Sequence, residues 1–182
     1  MSERITTLIA LSERVKAATG PDRELDTEIM AAFYTRDKRY IGAHWEDTGE
    51  PYQDDVWVDP KTDKWVSTCA FEFTRSLEMV VRLLKRTLPG WWWAVGTRGV
   101  SDNARIAPDY DSQEHGERLK REFPYIDGRG GRLVWSKFDE GFDVDRRPSG
   151  NVPLALLEAM LDALIYIEAM DAACSKWEAR NV

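Results

Sequence analysis

Apolar residues at Ile5, Leu8, Ile9, Leu11, Val15 and Ala18 return at helical spacing, with Ser2 placed to cap the segment and Glu3, Arg4, Arg14 and Lys16 left on the wet face. Thr19-Gly20-Pro21 punctuates the chain; Gly20 suits a helix exit and Pro21 the first turn of a new helix. Asp22 and Glu24 favour the positive end of that helix, and Leu25, Ile29 and Phe33 carry its apolar face. Residues 2–33 therefore predict a helical hairpin. A third helix is predicted from Thr74, a plausible cap, through Leu77, Val80, Val81, Leu84 and Leu88, stopped by Pro89-Gly90. The last helix follows Asn151 and Val152, has Pro153 in its first turn, and carries Leu154, Leu157, Leu161, Leu164, Ile165 and Ile167. Its apolar surface is so broad that either two of its sides are buried or one meets a second subunit, which makes a homo-oligomer an expectation. Glu158 and Asp162 lie four apart on it and read as a solvated stripe.

Strand patterns fill the middle. Val56-Trp57-Val58 and Lys64-Trp65-Val66 flank the turn Asp59–Asp63 and predict a hairpin. Trp91–Val95 reads as a strand with Ala104–Ala107 as its antiparallel neighbour. Tyr125-Ile126 and Leu133–Trp135 around Asp127–Gly131 predict another hairpin, residues 111–123 a short polar helix, and residues 139–150 a loop. From His44 to Asp59 there are six carboxylates and no Lys or Arg, which reads as an exposed loop leading into a strand. Helices at both ends with strands between imply an α+β domain, an antiparallel or mixed sheet with helices packed against it. The 182 residues suit one domain.

Composition narrows the functions. Hydrophobic residues make up 43% of the chain, enough for a packed core. A net charge of −7 argues against coating nucleic acid through a general basic field. Two cysteines support neither a disulfide scaffold nor a four-cysteine zinc site. The Met-Ser-Glu-Arg-Ile start lacks the pattern of a signal peptide, and the stretch from Val152 to Ile167 is broken by Glu158 and Asp162, so a cytoplasmic protein without membrane contact is expected.

The segment Ala17-Ala18-Thr19-Gly20-Pro21-Asp22-Arg23-Glu24-Leu25-Asp26, with Phe73-Thr74-Arg75-Ser76-Leu77-Glu78, Pro89-Gly90-Trp91-Trp92-Trp93 and Asn151-Val152-Pro153, resembles the phage ABA sandwich domain family, small proteins of phages and prophages in alphaproteobacteria. The resemblance covers about half the chain; residues 34–70 and 109–149 stand apart as insertions or divergent segments. It implies a helix–sheet–helix sandwich and a phage accessory role inside a bacterial host, and it supplies no catalytic residue.

No catalytic motif stands in the sequence. His44-x-Glu46 is half of a zinc deaminase pattern without its Pro-Cys-x-x-Cys partner, two histidines do not make a zinc site, and Asp143-x-Asp145 runs into Arg146, Arg147 and Pro148 instead of calcium ligands. No Gly-x-Ser-x-Gly elbow is present, and Cys69 reads as structural. No metal and no cofactor is expected. Aromatic and cationic groups are more suggestive. Trp91 and Trp93 share one strand face and Trp92 takes the other; Arg98 and Arg105 follow on the same hairpin. Arg129, Gly130 and Arg132 form a Gly/Arg loop able to cradle phosphate. Indole planes with guanidinium forks suit a nucleotide-like anion; the alternative is a sheet covered on both faces, with the Gly/Arg loop a plain turn. The expectation is a non-enzymatic binding protein, a sponge for an anionic nucleotide-like small molecule in counter-defence. Its alternatives are an interaction module that meets a host protein through the acidic segment or the last helix, and a metal-dependent nucleotide hydrolase.

Overall fold

The computed structural model describes residues 2–44, 48–96, 103–123, 137–146 and 151–178, apart from the side chains of 41, 43, 137, 139 and 173–178. In chain order the elements are α1 (Glu3–Ala17), α2 (Arg23–Phe33), β1 (Thr35–His44), β2 (Pro51–Asp59), β3 (Lys64–Ser67), α3 (Leu77–Thr87), β4 (Trp91–Val95), β5 (Asn103–Pro108), α4 (Gly116–Glu122), α5 (Lys137–Glu140), β6 (Phe142–Asp145) and α6 (Val152–Glu178). The strands form two antiparallel three-stranded sheets, β1-β2-β3 and β4-β5-β6. The α+β class, the helical hairpin at the start and the long helix at the end are as read from the sequence.

The first half of α6 explains its own composition. Leu154 to Leu161, with only Glu158 interrupting, are fully buried against α1, α3 and the inner face of β5 and β6. Leu8, Leu11 and Val15 of α1, Val80, Leu83 and Leu84 of α3, and Ile106, Phe142 and Val144 of the sheet complete this core. The breadth of the apolar surface is thus used up inside one chain; beyond Leu164 the helix becomes progressively exposed.

Several local expectations are corrected. β1 occupies residues 35–44, between the helical hairpin and the acidic segment, where the sequence pattern predicts no element. Its run Arg36-Asp37-Lys38-Arg39 shows no apolar alternation because β1 is an edge strand, where charges guard unpaired backbone groups. The acidic segment continues the same ribbon: Asp54 and Asp55 of β2 stand opposite Arg39 and Lys38. Charge there alternates in sign and does not accumulate. Within residues 139–150, read as loop, β6 forms because Phe142 and Val144 point inward while Asp143 and Asp145 point out. Pro21 lies just before the second helix, whose cap is Asp22; its carboxylate accepts from the backbone N–H of Glu24 and Leu25. The cap of α3 is Ser76, not Thr74. The hairpin expected around residues 127–131 lies outside the described residues.

Thr74 is instead the centre of a buried polar knot. It is fully buried, and its backbone N–H donates to Asp26 Oδ1 at 2.8 Å. Its hydroxyl accepts from the Asp22 N–H at 2.8 Å. Asp26, 1% exposed, also accepts from Arg23 Nη1 at 3.1 Å, and Arg23 Nη2 donates to Ala70 O at 3.0 Å. Asn151 Nδ2 donates to Thr74 O at 3.4 Å while its Oδ1 caps α6 through the Leu154 N–H. The segments around Asp22–Asp26, Thr74 and Asn151 therefore meet at one point, joining a helix cap, a buried carboxylate and a second cap.

Cations brought from elsewhere in the chain close the carbonyl ends of three helices, where the helix dipole is negative. Arg146 donates to Val15 O, Lys16 O and Ala18 O at the end of α1 and also binds Glu158 at 3.1 Å. Arg86 donates to Phe33 O at the end of α2, and Lys61 Nζ donates to Arg86 O in the last turn of α3 at 3.2 Å.

Candidate functional site

Trp91, Trp92 and Trp93 split between the two sheet faces by the two-residue period of β4. Trp91 is 6% exposed and rests edge-on against Phe123 and Phe138, with Phe142 also beside it; ring centroids lie at 5.6, 6.1 and 6.0 Å. Trp93 is half-buried and packs on the same core. Neither ring lies open on the sheet as a stacking platform. The exposed indole is Trp92, with the Arg105 guanidinium 5.8 Å from its ring centroid. Arg105 also donates to Glu140 O at 2.5 Å. Of the residues singled out in the sequence, Arg105 is thus joined to Trp92 and not to Trp91 or Trp93. Arg98, Arg129, Gly130 and Arg132 lie outside the described residues.

Trp91 nevertheless reaches a hollow. Together with Leu88, Phe123, Leu164 and Ile167 it lines a cleft of about 170 Å³ between the start of β4, α4 and α6. An apolar cavity of about 150 Å³ holds benzene, so this cleft has room for one flat ring system. Two ion pairs frame it. Arg4 Nε meets Glu168 Oε1 at 2.7 Å, and Arg118 binds Glu122 and Pro89 O. Both arginines are partly exposed, and exposed ion pairs are worth at most about 1 kcal/mol, so either guanidinium can exchange its carboxylate for an arriving anion at little cost. Nothing in the spacing of Arg4 or Arg118 marks them in the sequence; they become a pair only because α1 runs antiparallel to α6 and α4 folds back over β4.

A second, more polar cavity of about 300 Å³ adjoins the first, since Arg4 and Thr87 line both. Tyr34, Thr35, Lys61 and Arg86 complete its polar lining. Arg86 grips Asp59 through two bonds, Nε to Oδ2 at 2.9 Å and Nη2 to Oδ1 at 2.6 Å, and its guanidinium lies 4.5 Å from the Tyr34 ring centroid. The Arg86 bonds hold the Asp59 carboxyl at about 2, from an ordinary 3.8, against the opposing effect of burial. Burial, offset in part by Arg86, pushes the Tyr34 hydroxyl up. Because the folded value for Asp59 is depressed, the unfolded chain takes up the proton first. The stability that this pair contributes is complete above 3.8 and is lost as pH falls towards about 2. Chemical denaturation between pH 5 and 2 is expected to show a steeper loss for the native chain than for Asp59→Asn; equal slopes would remove the pair from the account.

Among the described residues no group of three or more His, Cys, Asp or Glu side chains could hold a metal ion, and no helix is long and apolar enough to cross a membrane. Compared with known proteins, the chain matches no family model, no curated protein and no solved structure.

Proposed function

We propose that this protein works by binding, as a phage accessory protein that captures an anionic, nucleotide-like small molecule in counter-defence. The observation that carries the reading is the cleft in which Trp91 and Phe123 supply aromatic walls while Arg4 and Arg118 stand at the rim. A flat heteroaromatic ring inserted there gains stacking and apolar burial, and its anionic substituent meets a guanidinium at the mouth. The resemblance of the Asp22–Asp26, Phe73–Glu78 and Asn151–Pro153 segments to phage proteins supports the biological setting.

The test is a thermal-shift screen against the ribonucleotides, cyclic nucleotides and ADP-ribose derivatives. A ligand at a hundred times its dissociation constant adds about 2.7 kcal/mol of stability. Ile167→Trp, which fills the cleft from α6, is expected to abolish the shift while leaving the unliganded melting temperature within a few degrees. A flat response to every compound would sink the proposal, as would full binding by the filled variant.

A further inference from the structure

Resting on that reading, we infer that the ligand is bipartite: the ring occupies the Trp91 cleft and a phosphate chain runs past Arg4 and Thr87 into the neighbouring cavity, where Lys61 receives it. The two hollows share Arg4 and Thr87 as wall residues, one hollow mostly apolar and the other more polar. Their cations are Arg4, Arg118, Lys61 and Arg86; their carboxylates are Glu168, Glu122 and Asp59. The groove is thus slightly cationic in a chain whose net charge is −7.

The cations differ in how firmly they are held. Arg86 is fixed by two bonds to Asp59 and one to Phe33 O, and its side chain is 16% exposed. It is a wall. Lys61 stands in the exposed turn between β2 and β3, and its ammonium makes a single hydrogen bond, to Arg86 O, with no carboxylate within ion-pair distance among the described residues. An ammonium has three donors, so Lys61 keeps two for phosphate oxygens without releasing the helix end. Thr87 lies where the two hollows adjoin, with its hydroxyl turned back to Leu83 O and Leu84 O, so that Arg4 is the charged group a phosphate chain meets between them. Lys61 is therefore a specificity residue, which adds its contact to those of the rim arginines and favours a phosphate chain long enough to reach it.

Isothermal titration of the full chain with each of the four ribonucleosides and its 5′-diphosphate tests this. The native chain is expected to bind the diphosphate of its preferred base at least about tenfold more tightly than the nucleoside, the worth of one charge-assisted contact. Lys61→Ala should weaken diphosphate binding about tenfold, Lys61→Arg should keep most of it, and nucleoside affinity should stay unchanged in both; circular-dichroism melts confirm that the variants fold. Diphosphate affinity unchanged in Lys61→Ala, or equal binding of nucleoside and diphosphate by the native chain, overturns the bipartite groove and leaves the Trp91 cleft standing. Binding of neither compound in any pair overturns the cleft as well.

Discussion

Asp26→Ala is expected to cost about 3 kcal/mol of folding stability, the upper end of the scale for leaving a buried donor without its charged acceptor. The carboxylate answers the buried Thr74 N–H and Arg23 at once; its loss strands the Thr74 N–H, whereas the half-exposed Arg23 keeps Ala70 O and Glu72. Asp26→Asn keeps an acceptor for Thr74 and should recover part of the loss. Asp22→Ala removes only the α2 cap and should cost about 1 kcal/mol. Thr74→Val keeps the backbone N–H that Asp26 answers and removes only the hydroxyl that accepts from the Asp22 N–H, so it should cost about 1–2 kcal/mol, less than Asp26→Ala. Urea denaturation of the set decides this; a fully tolerated Asp26→Ala would show that the knot does not hold α2, the Phe73–Ser76 turn and α6 together.

Arg146→Ala should be as damaging for a different reason. The side chain is 8% exposed, satisfies three carbonyls at the end of α1 and faces Glu158, itself 15% exposed. Burial pushes the Glu158 carboxyl up, Arg146 and Lys16 pull it down, and Asp162 and Glu13 add to the upward push. The upward effects already outweigh Arg146 in the native chain; without Arg146 they grow, and a buried carboxylate is left uncompensated at neutral pH. The expected loss at pH 7 is about 3–5 kcal/mol. The sign of the pH dependence follows. A carboxyl whose folded value is raised loses stability as pH rises through that value, so the Arg146→Ala defect should shrink below the ordinary Glu158 value of 4.5. Glu158→Gln in the Arg146→Ala background should recover part of the neutral-pH loss. A defect that is the same at acid and neutral pH would place all of Arg146's contribution in the carbonyl caps.

The sequence discloses these elements unevenly, and the reasons are physical. α1, α2 and α3 are legible because each buries one apolar face, and that burial imposes the helical period on Leu8, Leu25 and Val80, whereas α6 is legible from Pro153 and a long apolar run buried on several sides. β4 and β5 are legible because both are short apolar runs between turn formers. β1 is not, since an edge strand half in water has no reason to alternate. β6 is too short for Phe142 and Val144 to outweigh the charges around them. The Glu158–Asp162 stripe reads as solvated because sequence spacing carries no trace of Arg146 arriving from the end of β6 or of Ser12 and Lys16 meeting Asp162 across from α1. The candidate site was half legible: Trp91 announces itself, whereas Arg4, Lys61 and Arg118 gain meaning only where distant segments cross.

The central claim is that ligand enters beside Trp91 and not on the open sheet face that carries Trp92. The chain holds eight tryptophans, so its indole N–H groups give a small set of signals, assignable by single Trp→Phe replacements. Titration with the best nucleotide from the thermal screen, followed by 15N–1H correlation spectra, is expected to shift the Trp91 indole signal saturably and to leave Trp92 and Trp65 unmoved. Movement of Trp92 with Trp91 unchanged would contradict the account and put any binding on the outer face of the sheet.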